Sequence, residues 1–231
     1  MYKNQEKKPN IGVILLAAGS STRMDGNDKI FMEIYDNPLL YYSLIEFNDS
    51  PHISSISVVL SEKNYKSGIT YIKSLRLEKV KSICVGGSRR QDSVLNGLNA
   101  LGKHDFVLIH DAARPCINQC FINRAIESVT QFNASIPVIP STDTLRTLSD
   151  DDFADKIVDR ETIWITQTPQ CFSYELISEA LSTSIDSVTD DAMLVQKLGV
   201  KIKTFKGSKA NIKVTTNDDI AMVKSIIKEK K

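Results

Sequence analysis

The residues best suited to chemistry fall in three short segments. Leu16-Ala17-Ala18-Gly19-Ser20-Ser21-Thr22-Arg23-Met24 follows an apolar run. Small side chains there let consecutive backbone N–H groups approach an anion, and Arg23 and Lys29 add fixed positive charge over phosphates. The string is neither Gly-x-Gly-x-x-Gly nor a loop ending Gly-Lys-Ser/Thr, which weighs against dehydrogenase and P-loop readings; alone, it also reads as a tight turn. Gly86-Gly87-Ser88-Arg89-Arg90, with Ser93 just beyond, opens a candidate helix. Its glycines permit positive φ and close ligand approach, against the alternative of a plain strand-to-helix turn. His110-Asp111-Ala112-Ala113-Arg114-Pro115 follows a third apolar run. Asp111 can hold Mg²⁺ through oxygen while phosphates complete the shell. Ala112 and Ala113 leave room for a sugar, and Arg114 can fork onto a phosphate; the alternative is an Asp–Arg surface pair. The first two segments together make a nucleotide cradle.

Later polar islands are Asp159-Arg160, Thr168-Pro169-Gln170, Thr189-Asp190-Asp191 and Asn211-Ile212-Lys213. Each could be a cap, turn or solvated loop, with Thr189 or Ser187 a suitable N-cap for the helix that follows. Lys213 is the most suggestive, because a Lys flanked by Ile212 and Val214 must leave the core or meet an anion. His52, His104 and His110 share no metal spacing, and no Gly-x-Ser-x-Gly occurs, so a Ser-His-Asp hydrolase is unsupported. Cys116 and Cys120 are one helical turn apart without a second ligand pair, which argues against zinc. The lack of an obvious general base suits phosphoryl-group chemistry, where an ionised phosphate attacks without deprotonation.

These segments must be carried by a regular frame. Strand patterns at Ile11–Ala17, Ile53–Leu60, Val80–Val85, 106–110 and 135–139 alternate with helical patterns at 38–47, 64–75, Arg90–Leu101 and 119–131. This β-α alternation predicts an α/β fold with a largely parallel sheet covered by helices on both faces. Ligands of such sheets bind beyond the carboxyl ends of the strands, where all three candidate segments fall. Residues 142–160 break the pattern: two polar-alternating runs around Asp150–Asp152 fit a protruding hairpin or a surface loop. The chain then returns with 163–166, helices at 174–182 and 190–198, a strand at 200–205 and a helix at 217–228.

Bulk properties set the outer limits. A chain of 231 residues suits one domain with an ample core. The formal net charge of +1 gives no general attraction to nucleic acid or an anionic membrane, so any anion site must be built locally. No apolar run is long enough to span a bilayer, and Ile11–Ala17 reads as a first strand rather than a signal segment. Four scattered cysteines point to a reduced, cytoplasmic setting. Residues 1–10 and 229–231, rich in Lys, are expected to be flexible ends around a single domain at 11–228.

Taken in order, Ala17-Ala18-Gly19-x-x-x-Arg23-Met24 with Lys29, Gly86-Gly87 through Arg90 and Ser93, His110-Asp111-Ala112-Ala113-Arg114-Pro115, Thr168-Pro169-Gln170, Thr189-Asp190 and Asn211-Ile212-Lys213-Val214-Thr215 resemble the 2-C-methyl-D-erythritol 4-phosphate cytidylyltransferases. The resemblance implies a Rossmann-like, three-layer nucleotidyltransferase fold with a β-hairpin arm. The implied reaction joins CTP and methylerythritol 4-phosphate into a CDP-alcohol, with release of pyrophosphate and Mg²⁺ as cofactor. It implies that Arg23, Lys29 and Lys213 stabilise charge on the α-phosphate and the leaving group. By the same likeness Ala17, Ala18, Gly19, Gly86, Gly87, Ser88, Arg90, Ser93 and Ala112 surround the nucleotide. Asp111 serves metal and substrate, and Arg114 the polyol phosphate. Residues 142–160 become a homodimerisation arm that carries Thr144 and Arg160 to the neighbouring subunit's site, while Thr168 and Thr189 stay near the substrate of their own. There are departures. Ile30 follows Lys29 where many relatives have Gln, the Arg23–Lys29 spacing is one residue short, and Asp190-Asp191-Ala192 replaces Asp-Glu-Ala. A fused cyclodiphosphate synthase domain is not expected. Ribitol 5-phosphate cytidylyltransferases share most motifs, but Ala17-Ala18-Gly19 and Ala112-Ala113 favour methylerythritol phosphate. A non-catalytic nucleotide-binding protein and a uridylyl- or guanylyltransferase are the remaining alternatives.

Overall fold

Strand β1 (Ile11–Ala17) is buried along its whole length except at Leu16, because side chains on both of its faces meet helices. The computed structural model describes residues 8–19, 29–183 and 188–229. After β1 come a short pair, β2 (Glu33–Ile34) and β3 (Asn37–Pro38), and helix α1 (Leu39–Asp49). Three βα units follow: β4 (Ile53–Leu60) with α2 (Tyr65–Ser74), β5 (Val80–Val85) with α3 (Arg90–Leu101), and β6 (Phe106–Asp111) with α4 (Gln119–Phe132). Then come β7 (Ala134–Pro140), the hairpin β8 (Leu145–Leu148) and β9 (Ala154–Val158), β10 (Trp164–Thr166), β11 (Gln170–Ser173) and α5 (Tyr174–Thr183). The chain finishes with α6 (Asp191–Lys197), β12 (Lys203–Lys206) and α7 (Asn217–Glu229).

The main sheet has eight strands in the order β10-β7-β11-β6-β1-β4-β5, with β12 also on β7. Pairings β1/β4, β1/β6, β4/β5 and β7/β12 are parallel, and β11 runs antiparallel to both β6 and β7. Alternation along β1 sorts the core. Val13 and Leu15 join Leu44 and Phe47 of α1 and Phe121 of α4 on one face, while Ile14 meets Val94 and Leu98 of α3 and Ile177 of α5 on the other. Phe47 is fully buried, and truncation to Ala would remove about 3–5 kcal/mol. Gly97 lets α3 lie close to the sheet, since a Cβ there would sit 2.6 Å from Ile14 Cγ2 and 2.8 Å from Val59 Cγ2. A third cluster packs α7 on β2 and α1 through Val223, Ile227, Ile34 and Leu39. No helix of the described residues is long and apolar enough to cross a membrane.

The expected mostly parallel α/β frame is present, with several local differences. Helix α1 begins at Leu39 and runs to Asp49, with Pro38 as its N-cap in extended conformation, where 38–47 was expected. The β2–β3 pair turns through Tyr35, whose φ of 56° makes the tight reversal possible. Strand β11 was not expected; it is four residues long and follows the cis Thr168-Pro169 bond. The strand expected at 200–205 begins only at Lys203, because Val200 and Ile202 pack on the core ahead of the ladder. The N-cap of α6 is Asp190, whose side chain accepts from Met193 N–H, and neither Thr189 nor Ser187, the latter lying outside the described residues. The arm is a true two-stranded hairpin, with Leu145 opposite Val158.

Candidate active site

The carboxyl ends of β6, β1, β4 and β5 share one edge of the sheet. The loops beyond them are tied together by Ala112 N–H donating to Leu16 C=O (2.9 Å) and Gly86 N–H donating to Leu60 C=O (2.8 Å). Between the loops lies a cleft of about 470 Å³ lined by Ala18, Gly19, Lys29, Gly87, Ser88, Arg90, Ser93, Asp111, Ala113, Lys213 and others. Two residues expected to touch a nucleotide, Ala17 and Ala112, are buried in the core beneath this surface, and Gly86 is partly exposed beside Ala18 without lining the cleft. Ala113, not Ala112, faces the cleft. Arg23 lies outside the described residues. Lys29 begins a single 3₁₀ turn, and the apolar residue after it is explained by burial: Ile30 is a core residue.

Neither Gly86 nor Gly87 is among the residues with positive φ, so the left-handed backbone they permit is not used. Their role is close packing. A Cβ on Gly86 would fall 2.5 Å from Ala18 Cβ and 2.7 Å from Ser93 Oγ, and one on Gly87 would collide with Asp92 Cβ. Ser93 Oγ accepts from Gly87 N–H (3.1 Å), which fixes the second loop on the first turn of α3. Asp92 accepts from the Arg89 side chain, Arg89 N–H and Ser88 Oγ. The Arg89 hydrogen bond, with these others, lowers the Asp92 carboxyl to about 2.

Four charges cross the floor. Lys213 Nζ is 2.7 Å from Asp111 Oδ2, Arg90 Nη2 is 3.6 Å from Asp111 Oδ1, and Arg90 Nη1 is 2.7 Å from Asp191 Oδ2. Burial pushes the Asp111 carboxyl up, but Arg90 and Lys213 outweigh it and hold the group well below the usual carboxylate range. Burial opposes the Arg90 charge, yet Asp191 and Asp111 keep its guanidinium firmly protonated. For Asp191 burial wins, and its carboxyl is raised.

A second cavity of about 180 Å³ adjoins the first, lined by Arg114, Thr168, Gln170 and Thr189 and sharing Arg90, Asp111 and Lys213 with it. Arg114 Nη1 donates to Asn211 C=O (2.7 Å), and burial lowers the Arg114 guanidinium somewhat. His110 fixes this corner. Its Nε2–H donates to Arg114 C=O (3.1 Å), and its Nδ1 accepts from Thr168 Oγ1 (3.1 Å), which itself accepts from Asp111 N–H (3.1 Å). Burial pushes the ring pKa down to about 4, so the neutral tautomer needed for this relay is the resident one. Thr144 and Arg160 lie elsewhere, exposed at the base of the arm, with Arg160 Nη1 donating to Thr142 C=O (3.2 Å).

Three supporting residues had no role assigned from sequence. Gln170 Oε1 accepts from Asp191 N–H and Ala192 N–H while its Nε2 donates to Asp190, anchoring α6 to β11. Asn211 Nδ2 donates to Thr168 C=O (2.8 Å). Asp191 lies on the i, i+3, i+4, i+7 stripe with Leu194, Val195 and Leu198, and a carboxylate in that phase was the available signal of a buried charge.

The family model for 2-C-methyl-D-erythritol 4-phosphate cytidylyltransferase matches residues 11–229. The chain is 39% identical over 229 residues to the protein of that name from Dehalococcoides mccartyi (strain ATCC BAA-2266 / KCTC 15142 / 195), covering 99% of each chain. It is 39% identical over 220 residues to that of Clostridium novyi, covering 93% of this chain and 95% of the other. Among solved structures, 4-diphosphocytidyl-2C-methyl-D-erythritol synthase from Anaerococcus prevotii superposes with a TM-score of 0.83 at 27% identity, covering 96% of this chain and 97% of that one. The chain therefore belongs to the 2-C-methyl-D-erythritol 4-phosphate cytidylyltransferase family, the enzymes that transfer a cytidylyl group from CTP in isoprenoid precursor synthesis.

Proposed function

We propose that the larger cavity holds CTP and the smaller one the phosphate of methylerythritol 4-phosphate, so that the two meet at Arg90, Asp111 and Lys213. The observation that carries this reading is that these three side chains line both cavities. A phosphate oxygen of the polyol attacks the α-phosphorus; the new P–O bond forms as the bond to pyrophosphate breaks. The attacking oxygen is already ionised, so no side chain need remove a proton. Lys29 and Lys213, with Arg23, stabilise the charge gathering on the α-phosphate and leaving group. Ala18, Gly19 and Gly87 offer a close backbone approach, and Ser88 and Ser93 bound the nucleoside end. Arg114, Thr168 and Thr189 receive the polyol phosphate.

The site fits a divalent cation of limited protein ligation. Its support is Asp111, an ionised carboxylate at the wall common to both cavities, where it could share a cation with ligand phosphates. Mg²⁺ suits this, because it is commonly held by one carboxylate plus substrate phosphates; Asp111 would be that carboxylate. When bound, Mg²⁺ would neutralise charge on the triphosphate. A homodimer through the arm accompanies this reading, supported by Leu148, Phe153 and Ile157, which are 63%, 73% and 64% exposed on it, with Trp164 and Ile165 at its base. Thr144 and Arg160 would then serve the neighbouring site. A cytoplasmic setting is supported by four cysteines that are all thiols.

Pyrophosphate release by the purified protein with Mg²⁺ and CTP tests the reading, with methylerythritol 4-phosphate run beside ribitol 5-phosphate. Release with the first and not the second is expected. Release mainly with ribitol 5-phosphate would overturn the substrate assignment.

A further inference from the structure

Asp191 opens α6 with its side chain only 1% exposed. Apart from the 2.7 Å contact with Arg90 Nη1, neither of its carboxylate oxygens has a partner among the described residues. A carboxylate in such a place is costly to bury, and an apolar residue would complete the stripe of Leu194 and Val195 without that cost. Its one evident effect is on Arg90. A guanidinium beside a carboxylate favours a two-pronged fork on it. Arg90 does not fork onto Asp111: its Nη2 stands 3.6 Å from Asp111 Oδ1, beyond hydrogen-bond length, because its Nη1 is drawn to Asp191. Asp111 is consequently gripped closely on one oxygen, by Lys213 at 2.7 Å, and its other oxygen remains loosely held. The helix bearing Asp191 is itself fixed to β11 by Gln170, which accepts from Asp191 N–H and Ala192 N–H at 3.0 Å each. The restraint therefore comes from a rigid element and not from a mobile side chain on the surface.

We propose that Asp191 is a positioning residue that holds Arg90 back from Asp111, and so leaves Arg90 open to the phosphate and Asp111 open to the hydroxyls of the polyol phosphate in the smaller cavity. It lines neither cavity. Without its charge, Arg90 closes onto Asp111 as a fork and the two cancel one another across the wall. Lengthening the side chain by one methylene keeps the charge on the same helix, so Asp191→Glu preserves the restraint.

The inference rests on the reading that the smaller cavity receives the polyol phosphate, and the experiment separates the two. Steady-state pyrophosphate release is measured for the full chain with each substrate varied in turn. For Asp191→Asn, kcat/KM for methylerythritol 4-phosphate should fall roughly ten- to a hundredfold, the scale of a small misplacement of binding groups. The KM for CTP should stay within about twofold, and Asp191→Glu should return the polyol kcat/KM to within about threefold of the parent. A purely structural loss would lower the active fraction and move neither KM. An unmoved polyol KM in Asp191→Asn, or an equal rise in both KM values, overturns the proposal. Asp111→Asn is the control on the underlying reading: if it leaves the polyol KM unchanged, the cavity assignment fails first. If it raises that KM while Asp191→Asn does not, the cavity assignment stands and the positioning role falls. Should Asp191→Asn not accumulate as folded protein, Asp191→Ser carries the same test, because a hydroxyl keeps a polar group on Arg90 without the charge that restrains it; the same split between the two KM values is expected.

Discussion

The loops after β1 and β5 pack closely where Gly86 meets Ala18, and Gly86→Ala tests how closely. Gly86 has no left-handed backbone to preserve, so Ala is permitted by φ and the effect is one of space alone. The added Cβ would stand 2.5 Å from Ala18 Cβ and 2.7 Å from Ser93 Oγ, where ordinary contact begins at 3.4 Å. Ser93 can turn its hydroxyl, but Ala18 Cβ is fixed to the backbone of the first loop. The loops must therefore part by about 1 Å, a misplacement able to lower kcat/KM for CTP by up to roughly 10²-fold. Overpacking of this kind destabilises by about 1–3 kcal/mol, or about 2–12 °C in Tm for a chain of this size. Removing the opposing methyl should relieve it. In a double-mutant cycle with Ala18→Gly, the pair should recover more than the single effects allow, with a coupling of about 1–2 kcal/mol. Activity by pyrophosphate release and Tm by thermal melt are read on all four proteins. If Gly86→Ala keeps the parent Tm and CTP kcat/KM, or if Ala18→Gly brings no recovery, the close contact does not control the site.

Other outcomes follow from the same geometry. Lys213→Ala should lower kcat by about 10²–10³, the scale of a lost transition-state donor, while CTP binding by calorimetry persists; near-normal turnover would refute its role. The folded His110 ring titrates at about 4 against an ordinary 6.5, so the unfolded chain takes up its proton first as pH falls. Its stabilising contribution is thus complete above about pH 6.5 and is lost down to about pH 4, to a total of about 3 kcal/mol. Urea melts at pH 7 and pH 4.5 should show that extra loss in the parent and not in His110→Gln, and equal slopes would contradict the burial argument. For the proposed homodimer, the parent should sediment at the dimer mass and Phe153→Asp with Ile157→Lys at the monomer mass; a monomeric parent would overturn the dimer, and an unchanged dimer mass would place the interface elsewhere.

How much of this was legible in the sequence depended on how local the cause was. The loops after β1, β5 and β6 announced themselves, because small residues, cations and a carboxylate at strand ends describe their own chemistry. The helices after Arg90 and Gln119 were equally plain from apolar spacing. Strand β11 was hidden because four residues give too short a period, and its place depends on β6 and β7 on either side. Gly86 and Gly87 looked like backbone devices, but only the folded chain shows Ala18 and Asp92 pressed against them. Ala112 and Ala113 are identical in type, and which one faces the cleft is decided by Ala112 N–H pairing with Leu16 C=O. Asp191 sat in a polar string that reads as a cap, and its partner Arg90 is remote in sequence.

If the two cavities take CTP and the polyol phosphate as proposed, the wall they share couples the two ligands. In the free protein Lys213 and Asp111 satisfy each other at 2.7 Å. A triphosphate that recruits Lys213 leaves Asp111 with less of its countercharge, and so alters the ground on which the polyol binds. Such a coupling has no direction of its own: the factor by which CTP changes the affinity for the polyol phosphate equals the factor by which the polyol phosphate changes the affinity for CTP. One ion pair, divided between two guests, makes each the effector of the other.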